Sequence, residues 1–591
     1  MSEKFSNLVE LYEQSIKKYG NNPLFGVKKG GSYEWMTYRE FGELVDALRG
    51  GFAKLGVGKG DTVAIIANNR VEWAVTAYAS YGRNATYCPM YENQKRDEWK
   101  YIVEDSGARF LLVANQKIYD QVKALPDEID SLEFVYYIDG PADGDSYEKL
   151  LGWGRETPAE SVYPDSPEDL AGFIYTSGTT GSPKGVLLTH DNMCYNIQNI
   201  IDAGLIRPSD RSLAFLPWAH VFGQNCELHA MFGIGASMGL IEDISKIIDA
   251  LGEVKPTALF AVPRIFNKIY DGLNKKMADE PPIKQKLFAA AIANSMKLRE
   301  EEERGSVSMM TSLKDKLYNK VVFSAVRERF GGRLRLATSG GAALSPDVAR
   351  FIDAVKIQVY EGYGLSETSP IISVNLPGAR KIGSVGQGVD GVEIKITDVE
   401  GYPSGTGEIC ARGRNIMQGY HGLPEKTAEV IDDDGFFHTG DLGRVDEDGF
   451  LWILGRVKEQ YKLENGKYVV PSPIEEKLAL SGFILQAMIE GTNRPYNVAA
   501  IVIDRPAVEK WAKENGISTD DLLKNPKVKE LIKGEVAETT KDGKSYERPK
   551  NFIMLDEEWT PDNGMLTPKM SLKRRVAMER FGDELMALYD K

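Results

Sequence analysis

The sequence predicts an α/β protein with a large, multi-lobed N-terminal α/β domain carrying a β-rich subdomain, followed by a small α+β C-terminal domain. Three observations carry this. From Tyr33 to Val113, helical and strand-like apolar runs alternate, which is the pattern of βα units with parallel strands. After Lys381, short segments broken by glycine turns take over, as in GVEIKITDVEGYPSGTGEICARG and DEDGFLWILGR, the signature of antiparallel hairpins. Beyond Arg456, a lysine-rich loop, a helix, the strand VAAIVID and a charged helical stretch from Ala507 to Asp542 lead to a basic tail. The expected domains are 1–455 and 456–591.

Taken in order, YREFGELVDALRGGFAKLG reads as a helix, TVAIIAN as a strand, EWAVTAYASYG as a helix and RFLLVAN as a strand. EFVYYID, ALFAVP, RLRLATSGG and KIQVYEGYG continue the series, each ending in polar or glycine-rich residues where loops at the carboxyl edge of a sheet would hold a ligand. From Asp271 to Lys320 the chain is rich in lysine and glutamate around an Ala-rich core, which predicts a helical insertion whose EEER run is a solvated face.

Composition narrows the function. With 42% hydrophobic and 27% charged residues the chain is that of a folded globular protein. Acidic residues outnumber basic ones, 86 to 72, for a formal charge of -14, so there is no general basic footprint for nucleic acid. The charged start and the lack of any apolar run of bilayer length predict a cytoplasmic protein. Cys88, Cys194, Cys226 and Cys410 are far apart in sequence, and the expectation is four isolated buried thiols rather than a metal cluster with histidine.

The most informative stretch is FIYTSGTTGSPKGVLLTH, Phe173 to His190. Gly178, Gly181 and Gly185 allow backbone N–H groups to approach an anion, Thr176, Ser177, Thr179 and Thr180 add hydroxyls, and Lys184 adds positive charge: a phosphate clamp. Its spacing is not that of the P-loop, since proline precedes the lysine and glycine follows it.

That clamp resembles the phosphate loop of the adenylate-forming superfamily of acyl-CoA synthetases, luciferases and adenylation domains. LPWAHVFG, SGGAAL, YEGYGLSET, HTGDLG and GRVKEQYKLENGKYVVPSPIEE match that family in its order, over essentially the whole chain. The resemblance implies ATP and CoA as cosubstrates and Mg²⁺ as cofactor, with Glu367 and Ser366 as the metal-side residues. It implies that Tyr363 stacks on adenine, that Gly340, Gly341 and Ala342 line the base, and that Glu361, Gly362 and Gly364 belong to the same nucleotide-binding stretch. Asp441 takes the place of the acid that accepts from both ribose hydroxyls, Arg456 of an arginine near ribose and phosphate, and His220 of an aromatic gate to the acyl pocket. Lys458 matches the hinge about which the family rotates a mobile C-terminal domain between its two half-reactions.

One departure stands out. NGMLTPKMSLKRR resembles the segment carrying the family's adenylation lysine, yet Ser571 falls at that position, with Lys569 and Lys573 on either side; Lys569 is the preferred substitute. The insertion and the flanking VPRIFNKIY and VFSAVRERFGGRLRLATSGGAAL resemble bacterial long-chain fatty acyl-CoA synthetases, and CELHAMFGIGASMGL is a candidate tunnel wall or ordinary core. The implied reaction is AMP-forming ligation of a fatty acid to CoA. An acyl-AMP ligase serving a carrier protein, a luciferase-like oxygenase, a medium-chain or aryl acid ligase and a non-catalytic binding protein stay open as alternatives. So does transient contact with a membrane surface, and oligomeric state is not legible.

Overall fold

The computed structural model describes residues 4–176, 183–241, 243–567 and 571–590. Packing divides the chain into two units, one of 1–394 with 411–437 and the other of 395–410 with 438–591.

The first unit is built on three sheets. The largest has seven strands, in the order Gly419–Tyr420, Lys184–Thr189, Leu170–Thr176, Thr86–Met90, Thr62–Ile66, Ala108–Val113 and Phe134–Tyr137. Every residue of Thr62–Ile66 is buried, and both its neighbours run parallel to it, as expected of a continuous apolar strand covered on both faces. The helix Tyr38–Lys54 starts at a capping box, Thr37 with Glu40, and buries Phe41, Val45, Leu48 and Phe52 at helical spacing. At the far edge the sheet turns antiparallel: Leu170–Thr176 and Lys184–Thr189 form a hairpin with Thr176 opposite Lys184.

A second sheet places Ala258–Ala261, Leu336–Ser339 and Gln358–Gly364 side by side and parallel, then adds Ile371–Val374 and Gln387–Gly388 antiparallel. The third pairs Ser32–Thr37, Pro23–Lys29, Ser237–Leu240 and Arg211–Ala214. The insertion expected over 271–320 is helical, with Pro263–Ala278, Pro282–Glu303 and Met309–Tyr318.

In the second unit a four-stranded sheet of Glu393–Asp398, Thr406–Arg412, Phe437–Val445 and Leu451–Arg456 lies within the unit except for its end residues. A three-stranded sheet, Ile484–Glu490, Val498–Ile503 and Asn551–Leu555, follows; every residue of the central strand is buried, and its two faces serve two apolar clusters. By packing, then, 395–410 and 438–456 go with the C-terminal residues, whereas 411–437 go with the first unit.

Candidate active site

The clamp's two ends are the last residue of one strand and the first of the next. Thr176 is buried and its Cα partner across the hairpin is Lys184. Ser177, Gly178, Thr179, Thr180 and Gly181 lie outside the described residues. The Lys184 ammonium sits over the ring of Tyr420, 3.8 Å from its centroid, a cation–π contact. The hydroxyl of the same tyrosine donates to Oε1 of Glu367 at 2.9 Å. One aromatic ring therefore joins the clamp lysine to the expected metal acid. Burial first, and then the Glu367 charge, push the Tyr420 hydroxyl far above its ordinary range, so it stays a donor.

Tyr420 was not legible as a site residue. It reads as part of an ordinary Gly-Tyr-His-Gly turn, and its place depends on Gly419–Tyr420 pairing antiparallel with Val186 and Leu187. The segment before it is locked on as well. The Met417 N–H donates to the Glu367 carbonyl at 2.8 Å, the Asn415 amide donates to the carbonyls of Thr368 and Ile371, and Arg414 pairs with Asp191.

Glu361, Gly362, Tyr363 and Gly364 end the strand Gln358–Gly364, whose neighbour Leu336–Ser339 runs directly into Gly340, Gly341 and Ala342. Ser339 and Glu361 are Cα partners, so the two loops leave the sheet together at its carboxyl edge. Gly341 has φ +81°, a left-handed conformation that disfavours side chains. At Gly364 an added Cβ would lie 1.6 Å from the Pro370 carbonyl oxygen, so the backbone approach itself requires glycine. Burial raises the Glu361 carboxyl to about 7, partly offset by the Gly383 N–H, which donates to Oε1 at 3.2 Å, and by the charge of Arg380. Ser366 is buried and Glu367 half-buried on the short 3₁₀ turn Ser366–Thr368.

His220 is half-buried, and its Nδ1 accepts from the Phe222 N–H at 3.2 Å. Phe222 is also the side chain an added Cβ at Gly340 would meet, at 3.3 Å, which places the histidine's segment beside the loop after Leu336–Ser339. Phe222–His229 is a π-helix, and it differs from the apolar wall its flanks suggest: Gln224, Asn225, Glu227 and His229 on it are all buried. Ser212 donates to Glu227 Oε1 at 2.7 Å, while burial raises that carboxyl to about 8.

In the second unit, Asp441 and Arg456 are Cα partners on adjacent antiparallel strands and form an ion pair at 3.0 Å. Arg456 also donates to the Thr439 carbonyl at 3.2 Å. Lys458 is exposed on the 3₁₀ turn Val457–Glu459. Lys569 lies outside the described residues. Around it, the Thr567 N–H donates to the Ser571 carbonyl at 2.8 Å, Leu566 pairs antiparallel with Leu572, and Lys573 is exposed as the cap of the helix Arg574–Met586.

The expectation of four isolated thiols needs correcting at Cys410. Glu408 and Cys410 share one face of Thr406–Arg412, and His438 at the start of Phe437–Val445 meets both, with Nδ1 3.4 Å from the Cys410 Sγ and 2.9 Å from Glu408 Oε2. Glu408 Oε1 also accepts from the Gly440 N–H at 3.0 Å, so this knot fixes the turn that presents Asp441. Sequence distance concealed it because strand pairing, not spacing, makes the contact.

Family models of the AMP-binding enzyme match residues 12–421, and of its C-terminal domain residues 458–591. The chain is 31% identical to the peroxisomal long chain acyl-CoA synthetase 7 of Arabidopsis thaliana, over 99% of this chain and 87% of the plant protein. It is 33% identical to a long-chain-fatty-acid–CoA ligase of Mycobacterium bovis, over 94% of this chain and 92% of that one. Among solved structures, the adenylation domain of a carboxylate reductase from Mycobacterium chelonae superposes with a TM-score of 0.80 at 23% identity, covering 99% of this chain and 91% of that domain; it shares the fold.

Proposed function

The chain belongs to the AMP-binding enzyme family, and from that premise we propose that it is an AMP-forming long-chain fatty acid–CoA ligase. ATP activates the fatty acid to acyl-AMP with release of pyrophosphate, and the CoA thiol then displaces AMP. The observation that carries this reading is the linkage of Lys184 to Glu367 through Tyr420, which gathers a cation and a metal-binding acid next to the clamp hairpin. Joining a carboxylate to a polyphosphate opposes two anions, and fixed positive charge is what lowers that barrier.

The donors suit Mg²⁺. Glu367 is a hard, half-buried carboxylate, and Ser366 beside it offers a hydroxyl. Bound there with ATP, the ion would neutralise phosphate charge. The chain's own groups do the rest: Lys184 with the clamp hydroxyls and amides of Thr176 to Gly181 holds phosphate, and Tyr363 with the loops of Gly340 to Ala342 and Glu361 to Gly364 takes the base. Asp441, a buried acid, accepts from the ribose hydroxyls, and the adjoining Arg456, its ion-pair partner, lies near ribose and phosphate. His220 gates the acyl side, and Lys569 supplies the cation at the carboxylate in the adenylation step. The work place is cytoplasmic, with visits to a membrane surface to collect substrate.

Purified protein with Mg²⁺, ATP and a panel from acetate to stearate and benzoate is expected to exchange labelled pyrophosphate into ATP only with the longer acids, and to release AMP steadily once CoA is added. Acyl-AMP accumulating in excess CoA would make it an acyl-AMP ligase instead. Lys569→Ala is expected to slow exchange at least tenfold and Lys573→Ala little; the opposite order would move the role to Lys573.

A further inference from the structure

The helical insertion leaves an apolar face bare. In Met309–Tyr318 and the π-turn Asn319–Phe323 after it, Thr311 is buried and Asp315 is held by Lys356 at 2.8 Å, so one side of the helix packs inward. On the other side Met309, Leu313, Leu317 and Val321 recur every four residues, with Met310 among them. Met309 is 83% exposed, and the other four are 56% to 64% exposed. Five large apolar side chains in one run is unlike the single exposed residues that any soluble surface carries.

The charge around this face is basic in an acidic protein. Lys314, Lys316 and Lys320 are interleaved with the apolar residues and are exposed, and none makes an ion pair among the described residues. At about 100° per residue, Lys316 falls on one flank of the Met309–Leu313–Leu317 arc and Lys314 on the other. Three acids at the end of the preceding helix are engaged elsewhere. Glu301 accepts from Ser308 and Thr311, Glu302 pairs with Arg299 and Glu300 with Arg304. The preceding helix, which touches the π-turn, adds Ile283 and Leu287, also exposed, with Lys286 beside them and Lys284 paired to Glu280 at 2.9 Å.

From this juxtaposition of an exposed apolar stripe with flanking lysines that have no acidic partner, we infer that Met309 to Val321 docks on the surface of an anionic phospholipid bilayer. The apolar arc enters the acyl boundary and the lysine stems reach up to the phosphates, as an interfacial helix does. Among the described residues no helix is long and apolar enough to cross a membrane, so the contact is one of lying on the bilayer. The local charge is what makes the partner anionic: the chain as a whole carries -14, and only within a Debye length of these lysines does attraction prevail. A second copy of this chain is disfavoured, because two such basic faces would repel. The inference deepens the fatty-acid reading, on which its purpose rests, since long-chain acids reside in bilayers.

The test is co-sedimentation of the full chain with large unilamellar vesicles of phosphatidylcholine alone or mixed equally with phosphatidylglycerol. Binding is expected only to the mixed vesicles, to weaken at least tenfold in half-molar salt, and to fall at least tenfold in Leu313→Glu/Leu317→Glu and in Lys314→Glu/Lys316→Glu/Lys320→Glu. All altered residues are exposed, and circular dichroism of each variant checks the fold. Undiminished binding by both variants, or no binding by the parent, overturns the proposal. So does a parent dimer in size-exclusion that the first variant splits while vesicle binding is unchanged. AMP release with CoA and palmitate supplied on serum albumin, without vesicles, is read in parallel: its absence in the parent counts against the ligase reading, whereas its presence beside failed vesicle binding counts against the docking face alone.

Discussion

Tyr420 does two things with one side chain, and substitution separates them. Tyr420→Phe keeps the ring beneath Lys184 and removes the hydroxyl that donates to Glu367. A hydrogen bond to a charged group contributes roughly 1.5–3 kcal/mol, so pyrophosphate exchange is expected to fall about tenfold or more, with a shifted Mg²⁺ half-saturation. Tyr420→Leu removes the ring too and should be worse; equal exchange in both variants and parent would leave the link without a role. Glu227 makes a prediction of the opposite kind, about stability. Its carboxyl sits at about 8 in the fold because burial disfavours the charge, while unfolded it titrates near the ordinary glutamate value. Between those two values the native state holds a proton the unfolded chain has lost, so stability falls as pH rises through that window, by about 1.4 kcal/mol per pH unit, and levels off above the folded value. In Glu227→Gln that slope should vanish: its melting temperature relative to the parent is expected to climb from pH 5.5 to 7.5, and a constant difference would refute the assignment. At this scale a contiguous motif made residues readable as candidates, as at Lys184, Glu367 and Asp441, whose roles stand as proposals. Tyr420, the Cys410–His438–Glu408 knot and the buried Glu227 were not, because each takes its character from a strand or helix distant in sequence.

Among elements, period and punctuation did most of the work. TVAIIAN is a fully buried parallel strand, YREFGELVDALRGGFAKLG a capped amphipathic helix, and the lysine- and glutamate-rich insertion is helical throughout its core. The π-helix Phe222–His229 escaped, since its buried polar residues look like a surface and its flanks like a core. Antiparallel additions to parallel sheets escaped as well, because nothing local to Ile371–Val374 tells which strand it will join. Yet that pairing holds the strand proposed to take the base, and at Gly364 the facing backbone leaves no room for a Cβ. Gly364→Ala puts a methyl against the Pro370 carbonyl at 1.6 Å, where a backbone, not a flexible side-chain end, must yield. Overpacking of this kind costs about 1–3 kcal/mol or more. The strand end carrying Glu361 to Tyr363 is then displaced, so ATP affinity is expected to drop together with the melting temperature. A variant that melts lower but binds ATP as the parent does would show that the nucleotide loop does not depend on this contact.

For the whole molecule the question is where a large reorientation could occur. The division by packing cuts the chain three times, between 394 and 395, 410 and 411, and 437 and 438. Those cuts fall at or beside strands of the four-stranded sheet, so motion there would break a ladder at several places at once. At Lys458 the chain passes once, through an exposed 3₁₀ turn between the strand Leu451–Arg456 and the short strand Tyr461–Lys462, and the C-terminal family model begins at that residue. A single crossing lets a few dihedrals absorb a large rotation. Proline there fixes φ near −65° and restricts the preceding residue, which removes the freedom without touching any group assigned to ATP. Lys458→Pro is therefore expected to form acyl-AMP at close to the parent rate, measured by pyrophosphate exchange, and to transfer the acyl group to CoA at least tenfold more slowly, measured by single-turnover thioester formation. Equal slowing of both half-reactions would mean that one arrangement of the two domains serves both, and that the turn at Lys458 is only a connection.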